Sequence, residues 1–472
     1  MKKIISILLA AAFIVSLAAC GTGADPSQSA GADVGEPDIY FEGKAELLAQ
    51  AAYPVQAAYP DESKYIGSDG IFDSEKWERD TAPYYAQNAA RREALASYDG
   101  GLKEYFKKAV SGFLAGNDAE NAICSPVNIF GALAMLAEIT DGESRQQILD
   151  LLGADSIEEV RKLAAAVWTA TYQDDGAVRC LSANSLWLRE DMNYNEDTMK
   201  TLAEQYFASA FAGTMGDPDY TRMLQNWLDQ QTGGLLSEQA GQVELTPDTI
   251  CAIASTMYFK GKWAAEFDES ATSSDTFHAV SGDISTDFMH MGTQGTYYFG
   301  EKFGAVNLYF EGADTSMWFY LPDEGVSPEE LLADEEFLSF MTASQSEKHE
   351  WEKQKQVLIE LAVPKFDVVS DMDLAEKIGG LGVTDVFDME KSDFSPLTAD
   401  TDDIFVSSVK HAARVKIDEK GCEAAAFTVI MTCGASMPPA DKVEFTLDRP
   451  FVFSINTSTA ELPLFTGIVN TP

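Results

Sequence analysis

Basic residues are scarce in this chain of 472 residues, because 33 Lys and Arg stand against 76 Asp and Glu, for a formal net charge of -43. Each contact with a phosphate or sulfate group needs a Lys or Arg, so this balance disfavours binding to nucleic acid or to a heparin-like polyanion. A solvated acidic surface accounts for the charge, and we assign it no specific partner. With 46% hydrophobic and 11% aromatic residues, a packed core is easily built.

Histidine and cysteine are also few, which excludes several kinds of site. The four histidines and six cysteines form no CxxC pair, zinc ladder or HExxH motif, and "HEWEK" at His349 lacks the second histidine. A hydrolase would need metal ligands or a GxSxG-like elbow, and neither occurs. We therefore predict no catalytic residue, no metal and no cofactor. Apart from Cys20, the cysteines are odd in number, and most are interpreted as small buried hydrophobes: Cys124, Cys180, Cys251, Cys422 and Cys433.

A long apolar run occurs at the N-terminus, from Ile4 to Leu17, after two lysines and before small residues. It is too short and wrongly flanked for a spanning helix, and predicts a secretory signal over residues 1–19. The ending "LAAC" resembles a bacterial lipobox, which implies cleavage before Cys20 and attachment of lipid to its sulfur. The lipid would hold the secreted protein at the outer face of a bacterial membrane, which is its only predicted contact with a membrane. The alternative is an ordinary cleavage site with an incidental cysteine.

Composition divides the remaining chain into three parts. Residues 20–37 are rich in Gly, Ser, Ala and Asp after the lipidated cysteine, which is typical of a flexible tether. Residues 38–88 form an N-terminal extension that contains "AAYP" at 51–54 and again at 57–60, interpreted as an extended arm lying on the domain. Residues 89–472 contain no second linker and predict one large domain.

Helix and strand patterns are mixed within this domain. Ser125 is a favourable N-cap for a helix with Pro126 in its first position, and the apolar residues that follow predict a centrally buried helix. Two strand-like segments at the C-terminus, residues 450–458 and 462–470, predict an antiparallel hairpin. An earlier helical face carries Leu102, Phe106, Val110 and Phe113. Because the elements lack strict βαβ alternation, the fold class is α+β.

Six motifs occur in a characteristic order: "NAICSPVNIFGALAML", "NWLDQQTGGLL", "STMYFKGKWAAEFD", "VPKFDVVSDMDLAEKIGGLGVTDVFDMEKSDFSPLT", "VKHAARVKIDEKGCEAAA" and "DRPFVFSI … LFTGIVNTP". Any one of them alone would be weak. Together, from about Ala89 to Pro472, they resemble the serpin (serine protease inhibitor) family. The resemblance implies the serpin fold: a single large α+β domain with three β-sheets, about nine helices and an exposed reactive-centre loop.

The segment "EKGCEAAAFTVIMTCGAS" resembles that loop, which in the family inserts into a sheet as an extra strand. If it becomes a central strand, alternate side chains must face the buried side of the sheet. Counting from Cys422, the inward side chains are small or apolar and uncharged: Cys422, Ala424, Ala426, Thr428, Ile430 and Thr432. The outward side chains include the only charge: Glu423, Ala425, Phe427, Val429, Met431 and Cys433. No proline interrupts the ladder before Pro438.

Family spacing from Glu419 implies a reactive bond between Ala435 and Ser436, or, in a register shorter by one, between Gly434 and Ala435. A small residue before the cut favours an elastase-like or subtilisin-like serine protease over a trypsin-like one. The resemblance implies a suicide substrate rather than an enzyme. The serine of an extracellular protease forms an acyl-enzyme at Ala435, and loop insertion then traps this covalent complex. The inhibitor is expected to act as a monomer.

The resemblance also implies a hinge and residues that support it. The hinge comprises Glu419, Gly421, Cys422, Glu423, Ala424, Ala425, Ala426, Phe427 and Thr428. Lys365 matches the partner of the hinge glutamate, and Trp263 matches the tryptophan beneath the point where the loop enters the sheet. The plainer interpretations are a pair of surface charges and ordinary core packing.

A polar cluster in the family lets the central sheet open. Ser125, Asn128, Ser255 and His411 match its positions, although Asn128 replaces the usual serine and Ser255 the usual asparagine. The hydrogen-bonding atoms are retained, but the ease of opening is open to question. His411 is equally compatible with a satisfied core histidine.

Two departures fall in the loop itself. Phe427 replaces the small residue preferred in inhibitory members, and because it points outward we expect it to slow insertion rather than prevent it. A bridge between Cys422 and Cys433 would kink the loop, so we predict that both stay reduced. The alternative function is a non-inhibitory serpin, cleaved as an ordinary substrate or serving as a carrier or structural protein. The absence of charge from the inward hinge positions favours the inhibitor.

Overall fold

The structure of the protein is a computed structural model, which describes residues 45–95, 101–116, 119–312, 314–422, 441–457 and 461–472. The described helices are α1 (Ser74–Glu93), α2 (Gly101–Leu114), α3 (Pro126–Glu138), α4 (Gly142–Leu152), α5 (Ile157–Thr171), α6 (Glu196–Gln205), α7 (Pro218–Gln231), α8 (Ser237–Ala240), α9 (Pro328–Leu332), α10 (Glu335–Met341), α11 (Gln345–His349) and α12 (Ala375–Gly380). These twelve exceed the nine or so that were expected, because α8, α9, α11 and α12 are only one or two turns long.

The described strands are β1 (Ala45–Ala49), β2 (Ala122–Cys124), β3 (Gln173–Asp174), β4 (Val178–Arg189), β5 (Ala208–Gly213), β6 (Cys251–Lys262), β7 (Ser273–Ala279), β8 (Gly282–Phe299), β9 (Phe303–Tyr309), β10 (Thr315–Pro322), β11 (Gln354–Pro364), β12 (Phe366–Asp373), β13 (Lys410–Asp418), β14 (Gly421–Cys422), β15 (Lys442–Thr446), β16 (Phe451–Thr457) and β17 (Pro463–Val469). Helices and strands are mixed as an α+β fold requires, and β16 and β17 form the predicted antiparallel hairpin.

The strands form two hydrogen-bonded networks. Sheet A has the order β1-β5-β4-β6-β14-β13-β12, with β3 pairing with β4. The second network has the order β15-β11-β8-β9-β10-β16-β17-β2, with β7 pairing with β8. Strand β8 is 18 residues long; it pairs with β7 and β11 over most of its length and with β9 only at its end. The three expected sheets therefore appear as sheet A and two sheets that share β8.

Helix α3 lies at the centre of the fold, as its sequence predicts. The Ser125 side chain accepts a hydrogen bond from the backbone N–H of Asn128, and Pro126 occupies the first turn. Apolar residues on most sides of the helix are buried, which places it between sheet A and the helices α4 and α5. Helix α2 buries the four predicted apolar residues against the same core.

The described part of the N-terminal extension packs against the domain through a strand, stacked rings and a hydrogen bond, and it also contains most of α1. Strand β1 pairs antiparallel with β5 at the edge of sheet A. The Tyr53 ring stacks on the rings of Trp168 and Tyr172, with 5.8 Å between centroids in each pair. The backbone N–H of Ala51 donates to Ser209 Oγ at 3.1 Å. Helix α1 continues through residues 88 and 89, where the boundary between the extension and the domain was predicted.

Candidate functional site

The candidate site lies in sheet A, between strands β6 and β13. In the described chain these strands share no ladder; β14 lies between them and pairs antiparallel with both. Gly421 is opposite Lys262, and Cys422 is opposite both Gly261 and Ile417. Strands β6 and β13 therefore run parallel to each other, with a central strand position between them. Among the described residues, this position holds only Gly421 and Cys422, at its start.

Gly421 allows the chain to enter this position. Its φ is 156°, and a Cβ atom there would lie 2.2 Å from the carbonyl oxygen of Gly261. The close approach of two backbones therefore requires glycine at this residue. The preceding turn is held by Asp418 Oδ1, which accepts hydrogen bonds from the backbone N–H groups of Lys420 at 2.8 Å and Gly421 at 3.3 Å.

The predicted partners Glu419 and Lys365 are in contact at this turn. Lys365 Nζ lies 2.6 Å from Glu419 Oε1, and Thr272 Oγ1 donates to the same oxygen at 2.7 Å. The Glu419 side chain is 10% exposed and that of Lys365 37% exposed. Burial raises the pKa of Glu419, but the hydrogen bonds from Lys365 and Thr272 outweigh it, so that the pKa is lowered overall.

Trp263 combines the two roles that the sequence left open for it. Its ring is buried and stacks on Phe310, with 4.7 Å between centroids. Its indole Nε1 donates to the carbonyl oxygen of Asp418 at 2.9 Å, and its backbone N–H donates to the carbonyl of Lys420 at 3.0 Å. Core packing and support of the turn before β14 are thus provided by one side chain.

The four polar residues expected to govern sheet opening meet around the N-terminus of α3. Asn128 Nδ2 donates to Ser255 Oγ on β6 at 2.6 Å. The backbone N–H of Ser125 donates to His411 Nε2 on β13 at 3.1 Å. The first turn of α3 is therefore hydrogen-bonded to both strands that flank the central position, and separation of these strands must strain or break these bonds.

Sequence reasoning missed Asn184, which extends this cluster to β4. Ser255 Oγ donates to Asn184 Oδ1 at 2.7 Å, and Asn184 Nδ2 donates to the carbonyl oxygen of Tyr206 at 2.8 Å. Asn184 is buried and lies directly opposite Ser255 in the ladder. An asparagine inside the apolar strand "CLSANSLWL" is the signal that would have identified it, because a buried amide needs partners.

Burial determines the protonation state of His411. It lowers the pKa of His411 to about 4, so the ring is neutral at physiological pH. Because Nε2 accepts the hydrogen bond from Ser125, the ring proton must be on Nδ1. The cluster thus contains neutral hydrogen-bonding groups and no charge at neutral pH.

The other predicted site residues lie outside the described residues. These are Glu423, Ala424, Ala425, Ala426, Phe427 and Thr428 of the hinge, the reactive bond Ala435–Ser436, the lipidation residue Cys20, and Cys433. Within the described residues, no three His, Cys, Asp or Glu side chains group as metal ligands. None of the helices there combines the length and apolarity needed to cross a bilayer.

Comparisons with known proteins identify the family. The family model "Serpin (serine protease inhibitor)" matches residues 108–472. Serpin-Z2B of Triticum aestivum is 29% identical over 75% of this chain and 90% of its own length. A serine protease inhibitor of Cyanea capillata is 28% identical over 75% of this chain and 93% of its own length.

Solved serpin structures have the same fold as this chain. The thermophilic serpin tengpin in its native state superposes with a TM-score of 0.69, at 25% identity, over 91% of this chain and 100% of its own. Arabidopsis AtSerpin1 in its native stressed conformation has the serpin fold in common, with a TM-score of 0.66 at 24% identity, over 81% of this chain and 98% of its own. The chain belongs to the serpin family.

The buried His411 makes stability depend on pH. The unfolded residue titrates near 6.5, so between about pH 6.5 and 4 the unfolded state binds a proton that the folded state does not. We expect the free energy of unfolding to fall by up to about 3 kcal/mol as the pH falls through this window. Denaturant unfolding at pH 7 and pH 4 should show a smaller fall for His411→Gln. The exposed His349→Gln should behave as the unsubstituted protein, and an equal fall in all three would contradict the assignment.

The ion pair at the turn predicts a second effect. Lys365→Met removes the cation beside Glu419 and leaves the hydrogen bond from Thr272. Because Lys365 keeps much of its hydration, the free energy of unfolding should fall by about 1 kcal/mol, rather than by the 3–5 kcal/mol that breaking a fully buried pair costs. The loss should be present above about pH 5 and disappear as acid protonates Glu419, whose lowered pKa makes the pair stabilising only when ionised. The exposed pair of Lys391 with Asp388 provides the control, since Lys391→Met should leave the unfolding free energy nearly unchanged at both high and low pH.

Proposed function

We propose that this serpin inhibits a serine protease by inserting its cleaved reactive-centre loop between β6 and β13. The observation that carries the proposal is the position between these strands, which β14 begins to fill from the hinge. The loop leaves the described chain at Cys422, within this position, and returns at residue 441 beside β15. The alternation of small inward side chains predicted from Cys422 onward suits the central place of a sheet.

The register of β14 predicts which residues would flank the inserted loop. Continued by one residue, it would place Glu423 between Lys260 and Lys416 on the outer face. Two lysines beside the only charge of the inserting segment would favour this register over its neighbours, because a slip of one residue turns Glu423 inward.

The same register would bring Thr428 opposite Ser255 and His411. The inserted strand would then place the Thr428 hydroxyl beside the polar cluster. Hydrogen bonds to this hydroxyl would replace those that the cluster loses when β6 and β13 separate. Phe427 would lie on the outer face between Thr256 and Ala412, whose side chains are both small. This supports the expectation that Phe427 slows insertion without preventing it.

In this mechanism the chemistry belongs to the protease. Its serine attacks Ala435, the peptide bond to Ser436 breaks, and Ala435 remains as the acyl group of a covalent complex. Insertion buries the inward face and forms two new ladders, which drag the acylated protease along sheet A. Displacement of its catalytic groups by about 1 Å slows deacylation a hundredfold or more. The small residue at 435 suits an elastase-like or subtilisin-like target.

The setting of this activity is also part of the proposal. The lipobox-like "LAAC" supports a secreted bacterial lipoprotein held by lipid on Cys20, and residues 20–37 are long enough to act as a tether. The inhibitor would then work as a monomer at the cell surface on an extracellular protease. The competing function is non-inhibitory, since thyroxine-binding globulin with bound thyroxine has the same fold at 22% identity, and it predicts cleavage without a trapped complex.

Incubation with elastase and subtilisin should yield a complex that survives denaturing electrophoresis. Loop cleavage by either protease should also raise the melting temperature, because insertion completes sheet A. Thr428→Arg places a charge on the inward face, so it should abolish the complex while the loop is still cleaved.

The matched control is Met431→Arg, which carries the same charge on the outward face beside the partly exposed Ala252 and should still form the complex. Complete cleavage of the unsubstituted chain without any complex would favour the non-inhibitory alternative. Equal effects of both arginines would contradict the predicted alternation of the loop.

A further inference from the structure

A fully buried group of three polar side chains lies away from sheet A, between α11 and the β16–β17 hairpin. Lys348 Nζ is 3.1 Å from Glu461 Oε2, and Asn456 Nδ2 donates to the same oxygen at 3.1 Å. The side chains of Lys348 and Glu461 are 1% and 3% exposed, and Asn456 is fully buried. Because both nitrogen atoms contact the same carboxylate oxygen, the Lys348 amine and the Asn456 carboxamide nitrogen lie at most two hydrogen-bond lengths apart.

The surroundings of this group are aromatic. Lys348 Nζ lies 4.4 Å from the ring centroid of Trp318 and 5.5 Å from that of Phe340. Desolvation by burial lowers the pKa of Lys348, although Glu461 opposes the shift. Burial thus favours the neutral, nucleophilic form of the amine, whereas Glu461 and the carbonyl oxygen of Met341, 3.3 Å from Nζ, favour the ammonium.

The backbone directs Glu461 into this site. Its φ is 50°, in the left-handed region that residues other than glycine rarely adopt. The conformation is held by hydrogen bonds from the Glu461 N–H to the carbonyl of Thr457 at 3.0 Å and from the Leu462 N–H to Thr457 Oγ1 at 3.1 Å. A strained residue kept in place by its neighbours is a common property of functional positions.

In this group and beside it, two buried polar atoms have no partner among the described residues. These are the acceptor Asn456 Oδ1 and the donor Trp318 Nε1. Residues 318 and 456 point to the same face of the sheet, because Ser316 is opposite Asn456 and Trp318 is opposite Ser454. Trp318 therefore places an indole N–H without a partner among the described residues on the face that carries the Asn456 carboxamide.

We propose that Lys348 and Asn456 join in an intramolecular amide bond, with Glu461 as the proton carrier. The ammonium of Lys348 first passes a proton to the Glu461 carboxylate. The neutral Nζ then attacks Asn456 Cγ and forms a tetrahedral intermediate with its charge on Oδ1. Glu461 donates its proton to Nδ2 and takes one from Nζ, the Cγ–Nδ2 bond breaks, and ammonia leaves. Ammonia takes up the last proton, which restores the carboxylate, and no oxidant or further reactant is needed.

The bond would connect the two parts of the chain on either side of the reactive-centre loop. Lys348 precedes the loop and Asn456 follows it, so a cut between Ala435 and Ser436 would leave the C-terminal fragment covalently attached. This inference does not depend on inhibitory activity, because any cut in the loop reveals the bond.

Mass spectrometry of the digested full-length protein tests the proposal directly. Peptides containing Lys348 and Asn456 should appear joined, at about 17 Da less than the sum of their masses, with trypsin failing to cut after Lys348. After loop cleavage by elastase or subtilisin, a denaturing gel should show no released C-terminal fragment.

Three variants complete the test. Glu461→Gln keeps the shape but cannot carry the proton, so it should release the fragment and give separate peptides. Asn456→Asp would lose water instead of ammonia and should reach the same final mass as the unsubstituted protein. Lys353→Met, which removes a partly exposed lysine five residues further along the chain, should remain cross-linked. Separate, unmodified Lys348 and Asn456 peptides from the unsubstituted chain, even after prolonged incubation at pH 8, would overturn the proposal whether or not protease complexes form.

Discussion

The central strand position between β6 and β13 is the constraint on which the rest of sheet A depends. Backbone N–H and C=O groups in the middle of a sheet need partners. Along the edges of β6 and β13 that face each other, the partners among the described residues are the two residues of β14. On their outer sides, β6 pairs with β4 and β13 with β12 along most of their lengths. Gly421 and Cys422 lie in this position, and the proposed insertion would extend the strand from there.

The contacts around this position differ in kind along its length. At the end where the chain enters, a charged pair is reinforced by Thr272 and by the indole of Trp263. In the middle, neutral groups from α3, β4 and both flanking strands share hydrogen bonds. Each neutral bond contributes only about 1 kcal/mol net and can be exchanged for another, whereas an ion pair that loses one partner leaves a poorly solvated charge. The entrance to the position therefore depends on one specific set of partners, whereas the hydrogen bonds in its middle are more easily exchanged.

Local chemistry explains what the sequence predicts well. The cap at Ser125, the apolar face of α2 and the final hairpin depend on residues close together in the chain, and all three are present. Asn184 escaped prediction because its partner Ser255 is set by the register of two long strands. The group formed by Lys348, Asn456 and Glu461 escaped for the same reason, since a short helix meets a hairpin that is distant in sequence. The number of helices was underestimated because one-turn helices have too few residues for a periodic pattern.

The strand that ends sheet A beside β5 comes from the arm and not from the family domain. Its five residues cover the hydrogen-bonding groups of β5, which would otherwise be open to pairing with another chain. Proteolytic removal of β1 would expose this edge of β5. The strand "AELLA" therefore shields the sheet from edge-to-edge association between neighbouring molecules.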